Sequence, residues 1–455
     1  MLFNHTELCH QQFYIETLQR NVTFEDDICR RLTDYEGWSR ETLVAERFCA
    51  GWLERFRWSC TKAGVAYRNV DFGQSPFVGL WIRSVVLDFR VEPLAPTKPI
   101  TDPSQHNSKQ HDPRFALSPA QFCCYCPTNV VRFCPVPSWQ LFPMLPRRNH
   151  SAEFECSSER FTNPSSQQAP PRIRLQNRLV IISRLEDHNP FFMVSLALNT
   201  WLMLHLLGWS HSSDVQLLLF DDGCPELLHR IVNANQPIIH ASRADWRRTA
   251  VELTEAVFVP SERSGPLMTR LDQQWPLRCP ASRMLRDFRR AVLKSFNLDD
   301  KNPPSSPPLI LFIARQPVSG RPVARQLRNM AAILDATSRQ LANHSASVEC
   351  VDLAEYAFRE QMAFFRRAKV VVSVHGSALV HTLWLRAGSI LVELLNESRR
   401  PTFRNLCDYH GRCEYLEYRE RAADGRPNRC ANDLSCVVSV EKWAEFVKEQ
   451  LVHRL

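Results

Sequence analysis

The chain has 455 residues, of which 44% are apolar and 23% are charged, a composition typical of a globular protein of two or three domains. Its formal net charge of +8 is spread along the chain and is not gathered in a basic arm with aromatic residues. This distribution argues against nucleic-acid binding and suits a small anionic ligand.

The first 175 residues show no clear periodic pattern. They are rich in tryptophan, arginine and cysteine at the start, and Pro/Ser/Gln-rich stretches that cannot supply a core follow. The sequence therefore predicts an irregular Cys-rich region with an insertion at 1–175.

Sixteen cysteines are a high number for this length. Eight of them cluster in a Pro-rich loop and near the C-terminus: Cys123, Cys124, Cys126, Cys134, Cys407, Cys413, Cys430 and Cys436. The loop spacing matches no common zinc site, and no histidine pair completes it, so disulfides in an oxidising lumen are favoured over a metal site. The sequence does not determine which cysteines pair.

The acceptor pattern for N-glycans points to the same compartment. It occurs at Asn4, Asn21, Asn149, Asn343 and Asn396. We expect residence in the lumen of the Golgi or the endoplasmic reticulum. The first residues are no signal peptide, so we expect membrane attachment only through an upstream anchor that this chain lacks.

Strands and helices alternate from residue 178 onward. Strands are predicted at 178–182, 215–220 and 255–260, and helices at 190–208 and 284–296. The stretch from Pro190 to Trp209 nearly reaches the length of a membrane span, but it contains Asn199 and His205, and we predict a buried core helix. This set predicts a Rossmann-like domain at 176–300.

A second alternating set follows a Pro/Ser-rich linker at 301–308. Strands are predicted at 309–315, 347–353, 369–374 and 389–395, and helices at 321–341, 355–368 and 377–388. The sequence predicts a second Rossmann-like domain at 309–440 and a C-terminal helix at 441–455. The fold class is therefore α/β, with two helix-covered parallel sheets.

His375, Gly376 and Ser377 form the corner between a buried strand and the next predicted helix. Ligands bind at such strand ends, and the unpaired amides at a helix start attract anions. Gly376 would let a phosphate approach, Ser377 would cap the helix, and His375 would donate to the anion. The alternative is a tight turn with a hydrogen-bonded core histidine.

Further residues extend this corner to a diphosphate site. Arg315 ends the first strand of the second set, and Arg321 and Arg325 lie at the start of the next predicted helix. Glu393 is a lone carboxylate in an apolar strand, and we expect it at the strand end, accepting ribose hydroxyls or paired with Arg399 or Arg400.

The stretch from Ala368 to Leu395 resembles the signature of glycosyltransferase family 61. The matching positions are His375, Gly376, Ser377, Leu379, His381 and Glu393, with Val380 in place of the usual threonine. Gln361 resembles part of a family Glu-Gln pair, and the segment ending at Asn329 is similar to the plant-type β-1,2-xylosyltransferases of N-glycan cores.

The resemblance implies a GT-B fold and an inverting transfer that needs no metal or other cofactor. Its expected partners are a UDP-sugar donor, UDP-xylose first and UDP-GlcNAc second, and a glycoprotein N-glycan acceptor. The local pattern and the resemblance together assign Arg315, Arg321, Asn329, Gln361, His381 and Glu393 to the donor site, with the His375–Ser377 corner.

One departure from the family concerns the acceptor side. Relatives often carry a histidine and an aspartate where this chain has Phe192 and Leu196. A general base is still required, and the candidates are His188, Asp187 and Asp222. The departure also allows a pseudoenzyme that binds nucleotide or glycan without transferring a sugar.

Overall fold

The computed structural model describes most of the chain from residue 172 onward and short strands before it. The described residues are 64–69, 77–88, 122–124, 134–136, 152–154, 172–182, 184, 189–206, 209–210, 212–219, 226–232, 236–240, 250–259, 262–263, 266–271, 283–298, 307–316, 325–394, 401–420 and 435–455. The chain divides into two compact units, Met1–Thr269 and Arg270–Leu455.

The first unit contains a mixed seven-stranded sheet in the order β1-β2-β9-β6-β7-β8, with β3 paired to β2. The strands of this unit are β1 (Gly64–Asn69), β2 (Phe77–Asp88), β3 (Phe122–Cys124), β4 (Cys134–Val136), β5 (Ala152–Phe154), β6 (Arg172–Ile182), β7 (Val215–Leu219), β8 (Ile239–His240) and β9 (Ala250–Phe258). Strands β9, β6, β7 and β8 run parallel, whereas β2 is antiparallel to both β1 and β9. The parallel part confirms the strands predicted from residue 178 onward.

The antiparallel part differs from the prediction of an irregular region at 1–175. Strand β2 pairs with β9 from Leu80 opposite Phe258 to Asp88 opposite Ala250. Its sequence, FVGLWIRSVVLD, is rich in β-branched and aromatic residues, which favour strands. The prediction missed it because no clear periodicity accompanies these residues.

Helix α1 (Pro190–Leu206) confirms the predicted core helix. The Asn189 side chain accepts a hydrogen bond from the Phe191 amide at 3.0 Å, and Pro190 occupies the first helical position, where no amide donor is needed. Every described side chain from Val194 to Leu204 is buried, as expected of a helix that is apolar all round. Among the described residues, no helix has the length and apolar character needed to cross a bilayer. The other helices before the second sheet are α2 (Glu226–Val232), α3 (Pro266–Leu271) and α4 (Arg283–Ser295).

The second unit is built on a five-stranded parallel sheet in the order β12-β10-β13-β14-β15. Its strands are β10 (Leu309–Ala314), β12 (Ser347–Asp352), β13 (Ala368–Val374), β14 (Ser389–Leu394) and β15 (Cys413–Tyr418), and β11 (Gln326–Leu327) pairs with β16 (Ser435–Cys436) outside the sheet. Its helices after α4 are α5 (Met330–Gln340), α6 (Phe358–Arg367), α7 (Thr402–His410) and α8 (Val440–Phe446). A fully parallel sheet needs cover on both faces, which explains the uninterrupted burial of β14.

One face of this sheet packs on α5 and α8. Phe312, Val372 and Val392 share a core cluster with Ile333 of α5 and Trp443 of α8. Trp443 donates its indole N–H to the Thr337 hydroxyl at 2.8 Å, so the polar edge of this large buried ring is satisfied. The sequence predicts a C-terminal helix at 441–455, and the structure has α8 at Val440–Phe446.

The helix predicted from Arg321 begins only at Met330. The preceding segment is tied to the C-terminal part of the chain by the pairing of Gln326 with Ser435. The Asn329 amide extends this tie, because its Nδ2 donates to the Val438 carbonyl at 2.7 Å and its Oδ1 accepts from the Val438 amide at 3.2 Å. These contacts replace the first helical turns that local sequence favours.

Helix α4 was grouped by sequence with the domain at 176–300, but its contacts lie in the second unit. Phe288 packs on Trp384 with ring centroids 6.4 Å apart. The buried Arg289 donates to the carbonyls of Leu383 and Leu385 at 2.8 and 2.9 Å. Residues 301–306 of the predicted linker at 301–308 lie outside the described residues.

The strand order creates a switch point between β10 and β13. The chain leaves β10 through α5 to reach β12 on one side, and then returns through α6 to β13 on the other side of β10. Connections that leave two neighbouring strands in opposite directions open a crevice at their carboxyl ends, where α/β proteins bind ligands. Arg315 and His375 follow these two strands directly.

Candidate functional site

Arg315 and His375 meet at the switch point. The Arg315 Nη1 donates to the His375 backbone carbonyl at 3.0 Å, which ties the end of β10 to the end of β13. Both residues are partly buried, so their polar groups lie at the rim of the sheet and not in its interior. The structure thus brings together two residues that the sequence assigned to the same site.

Gly376 is required by the arginine beside it. A Cβ at this position would lie 2.3 Å from the Arg315 Nη1, far closer than van der Waals contact allows. The backbone itself is extended, with φ 174° and ψ 166°, so the conformation would admit any residue. The sequence predicted a glycine that makes room for a phosphate; the structure shows one that makes room for the guanidinium.

The His375 ring is held by a buried carboxylate. Its Nδ1 is hydrogen-bonded to Glu393 Oε1, and the Tyr415 hydroxyl donates to Glu393 Oε2 at 2.5 Å. The Glu393 side chain is 0% exposed, whereas 15% of the His375 side chain is exposed. Phe403 of α7 packs on the ring with centroids 5.1 Å apart. We call His375, Glu393 and Tyr415 the histidine relay.

This arrangement differs from the role that the sequence gave to Glu393. A carboxylate with no exposed surface and with both oxygens engaged is a poor acceptor for ribose hydroxyls. The predicted alternative partners, Arg399 and Arg400, lie outside the described residues. Sequence reasoning also missed Tyr415, whose position opposite Leu391 in the parallel register places it on the same face as Glu393.

A second arginine strengthens the positive field at this rim. Burial, as the largest cause, and the positive charge of Arg325 together lower the pKa of Arg315 to about 10, while Asp352 opposes both effects. Arg325 has a left-handed backbone with φ 64°, and its Nε is buried with no hydrogen-bond partner in the described part of the chain. Such strained, desolvated cations are typical of sites that bind an anion.

A small cavity of about 110 Å³ adjoins Arg315 at the carboxyl ends of β10 and β13. Its walls are mainly apolar, from Phe312, Met330 and Val374 among others. Its polar groups include Arg315 and a pair of amides, in which the Gln326 Nε2 donates to the Gln316 Oε1 at 2.9 Å. At this volume the cavity is smaller than the usual small-molecule site of about 300–1,000 Å³, so it could take only part of a ligand held at the rim.

The helix predicted to start at Ser377 is a 3-10 helix, Ser377–Trp384, and not an α-helix. Its last carbonyls are taken by side chains from elsewhere: Arg289 binds those of Leu383 and Leu385, and Arg366 binds that of Trp384 at 3.3 Å. The last carbonyls of a helix have no amide partner within it, and these arginines supply the missing donors. The predicted end at Gly388 is therefore wrong, because the helix stops at Trp384.

Three further residues assigned to the donor site make contacts within the fold. His381 is fully buried, accepts the Trp384 indole N–H at 3.1 Å, and has its pKa lowered to about 3 by burial. Gln361 donates to the carbonyls of Leu353 and Tyr356 at 2.8 and 2.9 Å. Asn329 is bonded to Val438 as described above. Their assignment to the donor site stays a prediction.

Of the predicted glycosylation sites, the structure describes Asn343. Asn343 is exposed in the turn after α5, where a glycan would have room. The remaining predicted residues lie outside the described residues: His188, Asp187, Asp222, Arg321, Asn4, Asn21, Asn149 and Asn396. The general base therefore stays a prediction.

Cysteine chemistry at α7 follows the predicted preference for disulfides. Cys407 and Cys413 are joined by a disulfide, and Cys436 is disulfide-bonded as well. His410 lies close by, with its Nε2 3.3 Å from the Cys413 sulfur, and the three side chains could form a metal site only if the disulfide were reduced.

Comparison with known families finds a match to the Glycosyltransferase 61 model over residues 224–392. This stretch is less than half of the chain, and it contains Arg315, His375 and Gly376, while Glu393 and Tyr415 follow it. A comparison with curated proteins finds no match. The chain is thus similar to glycosyltransferase family 61 over residues 224–392, and this similarity suggests a glycosyltransferase activity.

Proposed function

We propose that this protein is an inverting, UDP-sugar-dependent glycosyltransferase of the secretory lumen that transfers xylose from UDP-xylose to the core mannose of an N-glycan. The observation that carries the proposal is the rim formed by Arg315, Gly376 and His375 at the switch point of the second sheet. The match to glycosyltransferase 61 supports the reaction class.

In this proposal the rim holds the diphosphate of the donor. Arg315 and Arg325 supply positive charge, and the backbone amides at the start of the 3-10 helix supply neutral donors. Stabilisation of the departing diphosphate accounts for much of the rate, because it acts on charge that develops in the transition state. No metal or further cofactor is required by the proposal.

The acceptor hydroxyl attacks the anomeric carbon from the side opposite the diphosphate, which inverts the configuration. Its proton passes to a general base. The candidates are those derived from the sequence, His188, Asp187 and Asp222.

The activity is tested with a panel of UDP-sugars, each combined with one N-glycan acceptor and one folded glycoprotein. We expect UDP release with UDP-xylose only when the glycan is present, in buffer containing a chelator, and loss of release in Arg315→Ala. Transfer from UDP-GlcNAc to the folded glycoprotein would instead identify UDP-GlcNAc as the donor. A wild-type protein that neither binds UDP nor releases it would refute the proposal.

A specific observation favours a second candidate function, a pseudoenzyme that binds nucleotide without transfer. Leu196, at the position where relatives carry an aspartate, has no ionisable group and is packed in the core at 1% exposure. Phe192, at the position of the family histidine, lies with its ring 5.4 Å from the Arg263 guanidinium. Thermal stabilisation by UDP with no turnover on any donor of the panel would identify this function.

A further inference from the structure

The histidine relay leaves one ring nitrogen of His375 available. Its Nδ1 is engaged by Glu393, and within the described residues no hydrogen-bond partner is recorded for Nε2. Phe403 packs on the ring, and Arg315 holds the backbone of the same residue by donating to its carbonyl. A histidine held in this way has a defined orientation, and its Nε2 is the atom that can meet a ligand at the rim.

Burial of Glu393 is costly unless its charge is compensated. A carboxylate with 0% exposure loses its hydration, and hydrogen bonds or a nearby cation must replace it. Tyr415 supplies one hydrogen bond, and the imidazole supplies the other. The charged groups near the relay include Arg315 from the end of β10, Arg404 over the Tyr415 ring at 5.8 Å, and Arg419, which interacts with Glu393 electrostatically. Glu417 lies opposite Glu393 in the parallel register and is paired with Arg419 at 2.6 Å.

We propose that Glu393 and Tyr415 are positioning residues that present His375 Nε2–H to the leaving diphosphate. This inference rests on the proposed function and assigns a reacting group to it. An imidazolium between the Glu393 carboxylate and a phosphate has a negative group at each nitrogen, which favours the doubly protonated ring over the neutral one. Binding of the nucleotide is therefore coupled to uptake of one proton at Nε2.

The chemical step balances as follows. The bond between the anomeric carbon and the β-phosphate oxygen breaks, and its electron pair stays on that oxygen. His375 Nε2 donates its proton to the same oxygen, and the acceptor oxygen forms the new bond to the anomeric carbon and gives its own proton to the general base. The relay keeps Nδ1–H on Glu393 throughout, as the orienting carboxylate does in other histidine sites.

The test compares UDP with UMP, because the two ligands differ only in the β-phosphate that His375 would contact. Isothermal titration calorimetry in two buffers of different ionisation enthalpy measures affinity and proton uptake together. We expect wild type to take up a proton with UDP and to prefer UDP over UMP. In Glu393→Gln the uptake should vanish and the preference should fall about tenfold, the effect of losing one hydrogen bond to a charged group.

Tyr415→Phe should lower the preference by about two- to fivefold, since it removes one neutral donor from the carboxylate and retains the ring. The matched control is Glu414→Gln, which neutralises a carboxylate on the same strand that is paired with Arg454 at 3.2 Å. The control should keep both the uptake and the preference. UMP affinity should change less than twofold in all three variants, which separates loss of positioning from loss of the fold.

Two outcomes would overturn the inference. One is a Glu393→Gln protein that binds UDP with unchanged preference and unchanged proton uptake. The other is measured on the wild type, so it does not depend on how the variants fold. The ¹⁵N signal of His375 Nε2 should change from that of an unprotonated to that of a protonated nitrogen when UDP is added. An unchanged signal would exclude the proposed role. Wild type that binds and turns over a UDP-sugar without that change would refute this inference alone, whereas no UDP binding would refute the proposed function as well.

Discussion

Gly376→Ala tests whether the rim depends on the close approach of Arg315. The added Cβ would lie 2.3 Å from the Arg315 Nη1 and 3.1 Å from its Cζ, so the guanidinium has to withdraw. Its hydrogen bond of 3.0 Å to the His375 carbonyl would break, and the charge would leave the position that faces the diphosphate. The backbone is extended here and accepts alanine without strain.

The expected effect is large on binding and small on stability. Loss of one charge-assisted contact costs about 1.5–3 kcal/mol, which corresponds to a UDP dissociation constant raised about 10- to 100-fold. The atom that clashes is the end of a flexible side chain, so we expect the free energy of unfolding to fall by less than about 1 kcal/mol. Calorimetric titration with UDP and thermal denaturation of the same samples measure the two quantities.

Gly388→Ala is the matched control, because it should show the opposite pattern. Gly388 has φ 77°, and a Cβ there would meet nothing within 4 Å. Alanine in this left-handed region costs about 1–2 kcal/mol of stability without touching the rim. UDP affinity should stay at the wild-type value while Tm falls.

Two results would refute the reasoning for Gly376. The first is wild-type UDP affinity in Gly376→Ala. The second is a double variant, Gly376→Ala with Arg315→Ala, that binds UDP more weakly than Arg315→Ala by the same factor that Gly376→Ala costs alone. Two changes that act through one guanidinium cannot be additive.

Three further predictions concern the stability and processing of the chain. Burial, as the largest cause, lowers the pKa of His381 and of His410 to about 3, so between about pH 3 and pH 6.5 these two rings take up protons only in the unfolded chain. Stability should therefore be full above that pH and fall by about 1.4 kcal/mol per histidine for each pH unit below it; equal urea midpoints at pH 7.5 and 5.5 would contradict this. Cys407→Ser opens a short loop and should cost about 2 kcal/mol, measured without reductant as a Tm below that of wild type; an unchanged Tm would contradict this. Asn343→Gln should remove one enzymatically releasable glycan from protein secreted by cultured cells, and an unchanged mass would show that this exposed site is not used.

The sequence by itself determined the elements of the second unit and the place of its ligand rim. Strands β10, β13 and β14 are runs of apolar residues, and such runs flanked by amphipathic helices are typical of a covered parallel sheet whatever the distant contacts are. Arg315 and His375 end two of these strands, so their location at the carboxyl edge also follows from local pattern. The sequence resemblance and the family match agree on the same stretch.

Only the tertiary structure decided what those rim residues contact. Glu393 receives Tyr415 because β15 pairs with β14, and no local pattern specifies that pairing or its register. The segment after Gly376 is a 3-10 helix partly because Arg289, 94 residues from Leu383 in the chain, takes its carbonyl. The space at Gly376 is limited by Arg315, which follows β10. Local propensity acts over a few residues, whereas these outcomes depend on donors, charges and volumes that folding brings from distant parts of the chain.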